Sequence, residues 1–425
     1  MKHFSFAKVA KQSIASYAQF STSRYQQILK LGRQLAGTKI FHLNSVSATG
    51  GGGVAEIIKY QVPLERSLEL DSRWLVISAP EQFFVVTKKI HNLLQGQSGT
   101  LSVKEKRLYL NHLHQISNEL SKYLEKVKGR AIMVIHDPQP LPVIDYLPPS
   151  ILAISRLHID LSQPNRLMLD WLKPYLDKAQ RVIISNSSFR PSWLPLKKTV
   201  ISYPAINPFA LKNRALKVGY ARQLLKKIKV DIKRPILAQV SRFDPWKDPL
   251  GVVEAYYLAK KQIPGLQLIL KGDIIAKDDP EAKIIFQRVK KECKGDPDIF
   301  VLADPNYPQN VTYGTFINAI QQGADVVVQK SIKEGFGLTC TEAMWKGQAV
   351  VAGNVGGLKI QITNGQNGFL VNSPTECAER ITQLIKHPKL AKRLGKQAHK
   401  TVKDKYLIHA LVEDHLKIYQ TISGA

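Results

Sequence analysis

The chain has 425 residues, 44% of them hydrophobic and 22% charged. That composition is globular, with length for more than one buried core, and it excludes a disordered or fibrous protein. Sixty-one basic residues against thirty-three acidic give a net charge of +28, which favours polyanionic partners without choosing among nucleic acid, an anionic membrane surface and a phosphorylated ligand.

Residues 1–38 are set apart as an N-terminal segment whose first 23 residues are basic and rich in Ser, Ala and Gln, with no apolar signal core and with a mitochondrial-type transit peptide as the alternative reading. They read as a helical or frayed extension. From Lys39 onward, short apolar runs bounded by Gly, Pro or Asp alternate with longer amphipathic stretches. The runs are KIFHLN (39–44), AIMVIH (131–136), ILAIS (151–155), RVIISN (181–186), PILAQVS (235–241), LQLILKG (266–272), DIFVLA (298–303), ADVVVQ (324–329) and AVVAG (349–353). Such runs read as strands buried on both faces of a parallel sheet, with helices as crossovers. The class is α/β, doubly wound.

Nine strands are too many for one comfortable sheet. Two prolines in SYPAINPFALKN (202–213) interrupt the periodicity and read as a hinge. Two Rossmann-like domains are therefore expected, over residues 39–205 and 206–406, with an amphipathic piece over 407–422 returning to the first. The stretch 214–234 is strongly basic. Arg222, Lys226, Lys229 and Lys233 fall at helical spacing, opposite Leu225, Ile228 and Ile232. It reads as one helix with a solvated basic face, and a membrane-docking face is the alternative. No apolar run is long enough to span a bilayer. Cys293, Cys340 and Cys377 form neither a zinc pattern nor a disulfide framework and fit a reducing, cytoplasmic setting.

Three motifs carry chemistry. TGGGGVAE (49–56) follows a strand and opens a helix. Backbone N–H groups of Gly51, Gly52 and Gly53 there could meet an anion or sugar oxygens, although a plain tight turn explains the glycines equally well. The spacing is not a dinucleotide fingerprint, which disfavours an oxidoreductase. SRFDPWKDP (241–249) also follows a strand, and Arg242 and Lys247 could neutralise a diphosphate, with a simple Arg242–Asp244 ion pair as the alternative. KEGFGLTCTEAMWKG (333–347) is the most specific. Gly335 and Gly337 permit a tight loop around Phe336, Leu338 opens a helix, and Glu334 and Glu342 flank its N-terminus. In the first half, HDPQPLP (136–142) and RLHIDLSQPN (156–165) put His136, Asp137, His158 and Asp160 just past strand ends, where side chains tend to reach a ligand. No metal-ligand cluster is complete, so no bound metal ion is required.

The string from Glu334 to Glu342 resembles the glutamate–seven–glutamate motif of family-4 retaining glycosyltransferases. In order, HLNSVSATGGGGVAEII, FFVVTKKIHNLLQG, HDPQPLP, RLHIDLSQPN, SRFDPWKDPLGVVEAY and EGFGLTCTEAMWKG resemble the branch of glycosyl-transferring trehalose synthases and retaining trehalose phosphorylases. The resemblance runs from about residue 23 to the C-terminus. It implies a GT-B fold, two Rossmann-like doubly wound domains facing across a cleft. It implies transfer of glucose from a nucleoside-diphosphate (NDP) glucose donor to a glucose acceptor, forming α,α-trehalose, with no tightly bound cofactor. By position, Arg242 and Lys247 would hold the donor diphosphate, Glu334 with Gly335, Phe336, Gly337 and Leu338 the donor sugar, and Glu342 the ribose. His136, Asp137, His158 and Asp160 would lie near the sugars, and Gly51 to Gly53 near acceptor or phosphates. One departure is Asn207 in the hinge, where Asp is expected. Phosphorolysis, a lipid- or polymer-linked acceptor, a non-catalytic polyanion binder and a homodimer remain as alternatives at this level, with nucleic acid disfavoured as a partner.

Overall fold

The computed structural model describes residues 3–45, 52–272, 281–303, 308 and 310–424. The chain divides into two compact units, one of residues Met1–Ala205 with Ile408–Ala425, the other of Ile206–Leu407. Each is built around its own sheet.

In the first unit the elements run β1 (Phe4–Phe6), α1 (Thr22–Gln34), β2 (Lys39–Asn44), α2 (Gly53–Arg66), β3 (Asp71–Ile77), α3 (Glu81–Leu94), α4 (Val103–Leu124), β4 (Ala131–His136), β5 (Ile151–Arg156), α5 (Arg166–Lys178), β6 (Arg181–Ile184) and β7 (Thr199–Ile201). The sheet order is β1-β3-β2-β4-β5-β6-β7, parallel except for the edge strand β1. Residues 1–38 are thus not simply a helical extension: Phe4 tucks into the core and its strand caps the sheet edge. Chain order reverses between β2 and β4, so the switch point of this sheet lies there. One face is covered by α3, α4 and α5 around a large apolar core that includes Phe41, Leu43, Met133 and Ile135. The other face carries His42 and His136.

The second unit runs α6 (Val218–Lys226), β8 (Ile236–Val240), α7 (Pro249–Lys260), β9 (Gln267–Lys271), α8 (Ala282–Glu292), β10 (Ile299–Leu302), α9 (Tyr313–Gly323), β11 (Val326–Gln329), α10 (Leu338–Trp345), β12 (Val350–Gly353), α11 (Leu358–Gln361), β13 (Phe369–Val371), α12 (Pro374–Lys386) and α13 (Pro388–Lys405). Its sheet is wholly parallel in the order β10-β9-β8-β11-β12-β13, with the switch point between β8 and β11. The last helix, α14 (Ile408–Ser423), packs on α1 and α2 in the first unit.

All nine apolar runs are strands. β1, β7 and β13 are three residues long, too short for a periodicity to show, and β3 opens on charged Asp71 and Arg73. The basic stretch 214–234 differs from its reading. The helix ends at Lys226, and Lys229 takes a left-handed φ of 69° that breaks it. Arg222 turns inward, donating to the carbonyls of Gly323 and Ile232 and to Asp325 at 2.6 Å. There is no single basic face running to Lys233.

Candidate functional site

The two sheets each gather polar side chains at their switch point. In the second unit the loop after β8 carries Arg242, Asp244 and Lys247, and the loop after β11 carries Lys330 to Gly337. β8 and β11 are paired in parallel, so their loops leave the same sheet edge side by side. Asp244 caps a short helical turn by accepting from the Trp246 N–H, and Gln239 donates to the Lys247 carbonyl. That fixes the base of Lys247, whose Nζ lies 2.6 Å from Glu334 Oε2. Ser331 Oγ donates to the same carboxylate oxygen, 3.2 Å away. Behind them Lys330 pairs with Asp248, which also caps α7. Arg242 lies 3.6 Å from Asp244, with a third of its side chain exposed. The ion-pair alternative is therefore present.

Gly337 explains why this loop needs glycine. Its φ is 93°, and a Cβ there would lie 2.8 Å from Leu358 and 3.2 Å from Glu334. Gly357 approaches the Phe336 backbone so closely that a Cβ would sit 2.2 Å from its Cα. Gln361 then donates to the Phe336 carbonyl, and Thr341 to Gln361. Phe336 packs edge-on to Tyr406. Gly337 is the N-cap of α10 and supplies no side-chain cap, so the first N–H groups of that helix are left for an anion. One turn in, buried Glu342 lies 2.6 Å from Lys212.

In the first unit, register decides what meets. His42 pairs with Val134 across β2 and β4, and His136 lies two residues further on the same face, opposite Arg156 of β5. His42 Nδ1 is 3.0 Å from His136 Nε2, and His136 Nδ1 is 3.0 Å from His158 Nε2. On its other side His42 Nε2 meets Glu65 Oε2 of α2 at 3.0 Å. Glu65 is fully buried and also accepts from Ser72, Gln61 and Tyr419. Burial pushes its carboxyl upward, but the neighbouring His42 ring and the hydrogen bonds from His42, Ser72 and Gln61 hold it below the usual carboxylate range. Burial, then neighbouring His42, His158 and Arg156, keep His136 neutral, and burial with Arg156 does the same for His158. Arg156, itself buried, meets His415 of α14.

Asp137 sits in the left-handed region at φ 63°. Its Oδ1 accepts from the His158 N–H at 2.7 Å, and its N–H donates to the Arg156 carbonyl. Burial pushes its carboxyl up to about 7, against that hydrogen bond and Arg156. The left-handed backbone and the burial-raised carboxyl make Asp137 a candidate functional position. Asp160 is buried and accepts from the Ser162 N–H, holding its own loop. Gly52, φ 89°, is the N-cap of α2, and Gly53 is that helix's first residue. Gly51 lies outside the described residues.

Asp137, His136 and His158 are therefore brought together in one unit, and Lys247, Glu334 and Gly337 in the other. His136 has both ring nitrogens engaged and no exposed surface, so it reaches a ligand only through His158. Sequence reading missed His42, Gln61, Glu65, Arg156, His415 and Tyr419. A signal existed: Gln61 and Glu65 sit four apart inside an apolar helix face, as do His415 and Tyr419 on α14. Among the described residues no group of three or more His, Cys, Asp or Glu is placed to hold a metal ion, and no helix is long and apolar enough to cross a membrane.

Residues 42–191 match the family model described as trehalose synthase, N-terminal domain, and residues 222–401 match that of glycosyl transferases group 1. The chain is 40% identical over 399 residues to a trehalose synthase of Pyrococcus horikoshii, covering 94% of this chain and 93% of that protein. A trehalose phosphorylase of Pleurotus pulmonarius is 27% identical over 81% of this chain and 52% of its own length. Among solved structures, an α,α-trehalose 6-phosphate synthase from Burkholderia multivorans aligns with a TM-score of 0.71 at 13% identity, covering 92% of this chain and 97% of that one. That last likeness carries the fold alone, two parallel-sheet α/β domains of the GT-B type.

Proposed function

We propose, from the premise that this chain belongs to the trehalose synthase family of GT-B glycosyltransferases, that it moves glucose from an NDP-α-glucose to glucose with retention. The chain is a hexosyltransferase that forms trehalose. The observation that carries the finer reading is the Lys247–Glu334 contact at the β8/β11 switch point. It joins a cation to a carboxylate beside an uncapped helix N-terminus. Breaking the glycosidic C–O bond builds positive charge on the sugar and negative charge on the departing diphosphate. In this reading Arg242, Lys247 and the N-terminus of α10 receive the phosphate charge as it develops. Glu334 contacts the donor sugar, with Gly335, Phe336 and Leu338 beside it, and Glu342 holds the ribose. Asp137, His158 and Asp160, with the glycines opening α2, serve the acceptor. Attack comes from the leaving-group face, and the departing phosphate takes the acceptor proton.

The test incubates purified protein and glucose with ADP-, UDP-, GDP- or TDP-glucose, or with glucose 1-phosphate, and identifies the disaccharide by NMR. α,α-Trehalose from an NDP-glucose supports the reading. Trehalose from glucose 1-phosphate alone would make the enzyme a phosphorylase.

A further inference from the structure

We propose that the buried Glu65 carboxylate, acting through His42 and His136, fixes the tautomer of His158 so that its Nδ1 stands as a bare acceptor for a sugar hydroxyl. The inference deepens the reading of the first unit as the acceptor side and rests on it for the identity of the hydroxyl.

Glu65 is surrounded by the Ser72 and Tyr419 hydroxyls, the Gln61 amide and the His42 ring, each within 3.0 Å. An ionised carboxylate can only accept, so His42 donates from Nε2. With His42 taken as a neutral ring bearing one N–H, its Nδ1 is an acceptor and must receive the Nε2–H of His136, 3.0 Å away. His136 Nδ1 is in turn an acceptor and receives the Nε2–H of His158, also at 3.0 Å. The tautomer of each ring is dictated by the one before it. The chain ends on His158 Nδ1, which has no protein partner among the described residues and belongs to the only partly exposed ring of the three. Arg156, buried alongside, disfavours a proton on either His136 or His158. The single state that would reverse the links is a protonated His42, which would put an N–H on His158 Nδ1.

Glu65, His42 and His136 are then positioning residues, and His158 is the residue that touches the substrate. A hydroxyl bonded to Nδ1 must donate its proton there, so a hydroxyl of the acceptor sugar other than the attacking one is held in one rotamer and orients the sugar. The chain places this charge-set acceptor about three rings away from the charge itself, in a core that excludes water.

The test is histidine tautomer assignment by long-range 1H–15N correlation on the full chain labelled with 15N-histidine, at pH 8. The expected pattern is Nε2–H for His42, His136 and His158 alike. An Nδ1–H signal for His158 would overturn the proposal, and this spectrum of the unaltered protein needs no variant to fold. In Glu65→Gln the charge is gone: His158 should show mixed tautomers, and KM for the acceptor should rise about tenfold or more while KM for the donor stays near wild type. Wild-type tautomers and wild-type acceptor KM in Glu65→Gln would also overturn it. Should the protein make no trehalose yet show the uniform Nε2–H pattern, the functional reading fails and the tautomer chain stands.

Discussion

The two switch points solve the problem of burying polar groups in opposite ways. In the second unit, charge is met by charge in direct ion pairs between separate segments: Lys247 on Glu334, Lys330 on Asp248, Lys212 on Glu342. In the first, one carboxylate is satisfied by four neutral donors and its influence is carried outward through three imidazoles. Ion pairs suit a site that must absorb a leaving group's charge. A relay of neutral rings suits one that must orient uncharged hydroxyls without competing ions.

The sharpest way to break this contrast is Lys247→Ala. It should lower kcat by about 10²–10³-fold, the scale of losing one preorganised electrostatic contact in a transition state. The unfolding midpoint should move less than on loss of Glu65, because the Lys247 side chain keeps a fifth of its surface exposed whereas Glu65 is fully buried. Wild-type turnover would detach the loop from the chemistry.

Glu65→Ala should act on folding instead. It leaves four buried donors without their acceptor, and each buried donor left unsatisfied costs about 1–3 kcal/mol. Denaturant unfolding measures it. A smaller cost in Glu65→Ala than in Lys247→Ala would reverse the assignment of roles.

Acid should separate the units next. His136, His158, His409 and His415 are held below 6.5, His409 at about 4, chiefly by burial. A depressed histidine means that the unfolded chain binds more protons below 6.5, so stability present above that value is lost as pH falls. Asp137, raised to about 7, and Asp414, also raised by burial, oppose this by holding protons when folded. With about two to three net protons, the first unit should lose roughly 3–4 kcal/mol per pH unit below 6.5. In the second unit, Arg234 holds Asp298 low, and bonds from Lys260 hold Asp296 low against burial, so their loss begins only near pH 4. Peptide-resolved hydrogen exchange at pH 7 and pH 5 should show the first unit opening alone.

The smallest effect belongs to the surface. Lys226 is exposed at the end of a nine-residue helix. Lys226→Glu should change stability by less than about 0.5 kcal/mol and leave sugar transfer untouched. A large loss of activity at low salt would return the basic charge to the mechanism.

The same contrast governs what the sequence could reveal. The candidate residues of the second unit were legible because glycine, cation and carboxylate lie within a few positions of one another, directly after apolar runs. Arg242, Lys247, Glu334 and Gly337 need only two strands to be adjacent. The relay draws on residues 42, 65, 136, 158, 415 and 419, and only strand register and the return of α14 bring them together. His42 lies inside an apolar run and Glu65 inside a helical stretch, with no spacing in the sequence that joins them. The two α/β sheets were legible from nine apolar runs, whereas the edge strand at Phe4 and the break at Lys229 depend on tertiary contacts and a left-handed turn that no periodicity encodes.

The division of labour is tested most directly by calorimetric titration of the nucleoside diphosphate released by the active donor into wild type, Arg242→Ala and Glu65→Gln. The account predicts affinity lowered at least tenfold in Arg242→Ala and unchanged in Glu65→Gln. Equal affinity in wild type and Arg242→Ala would contradict it.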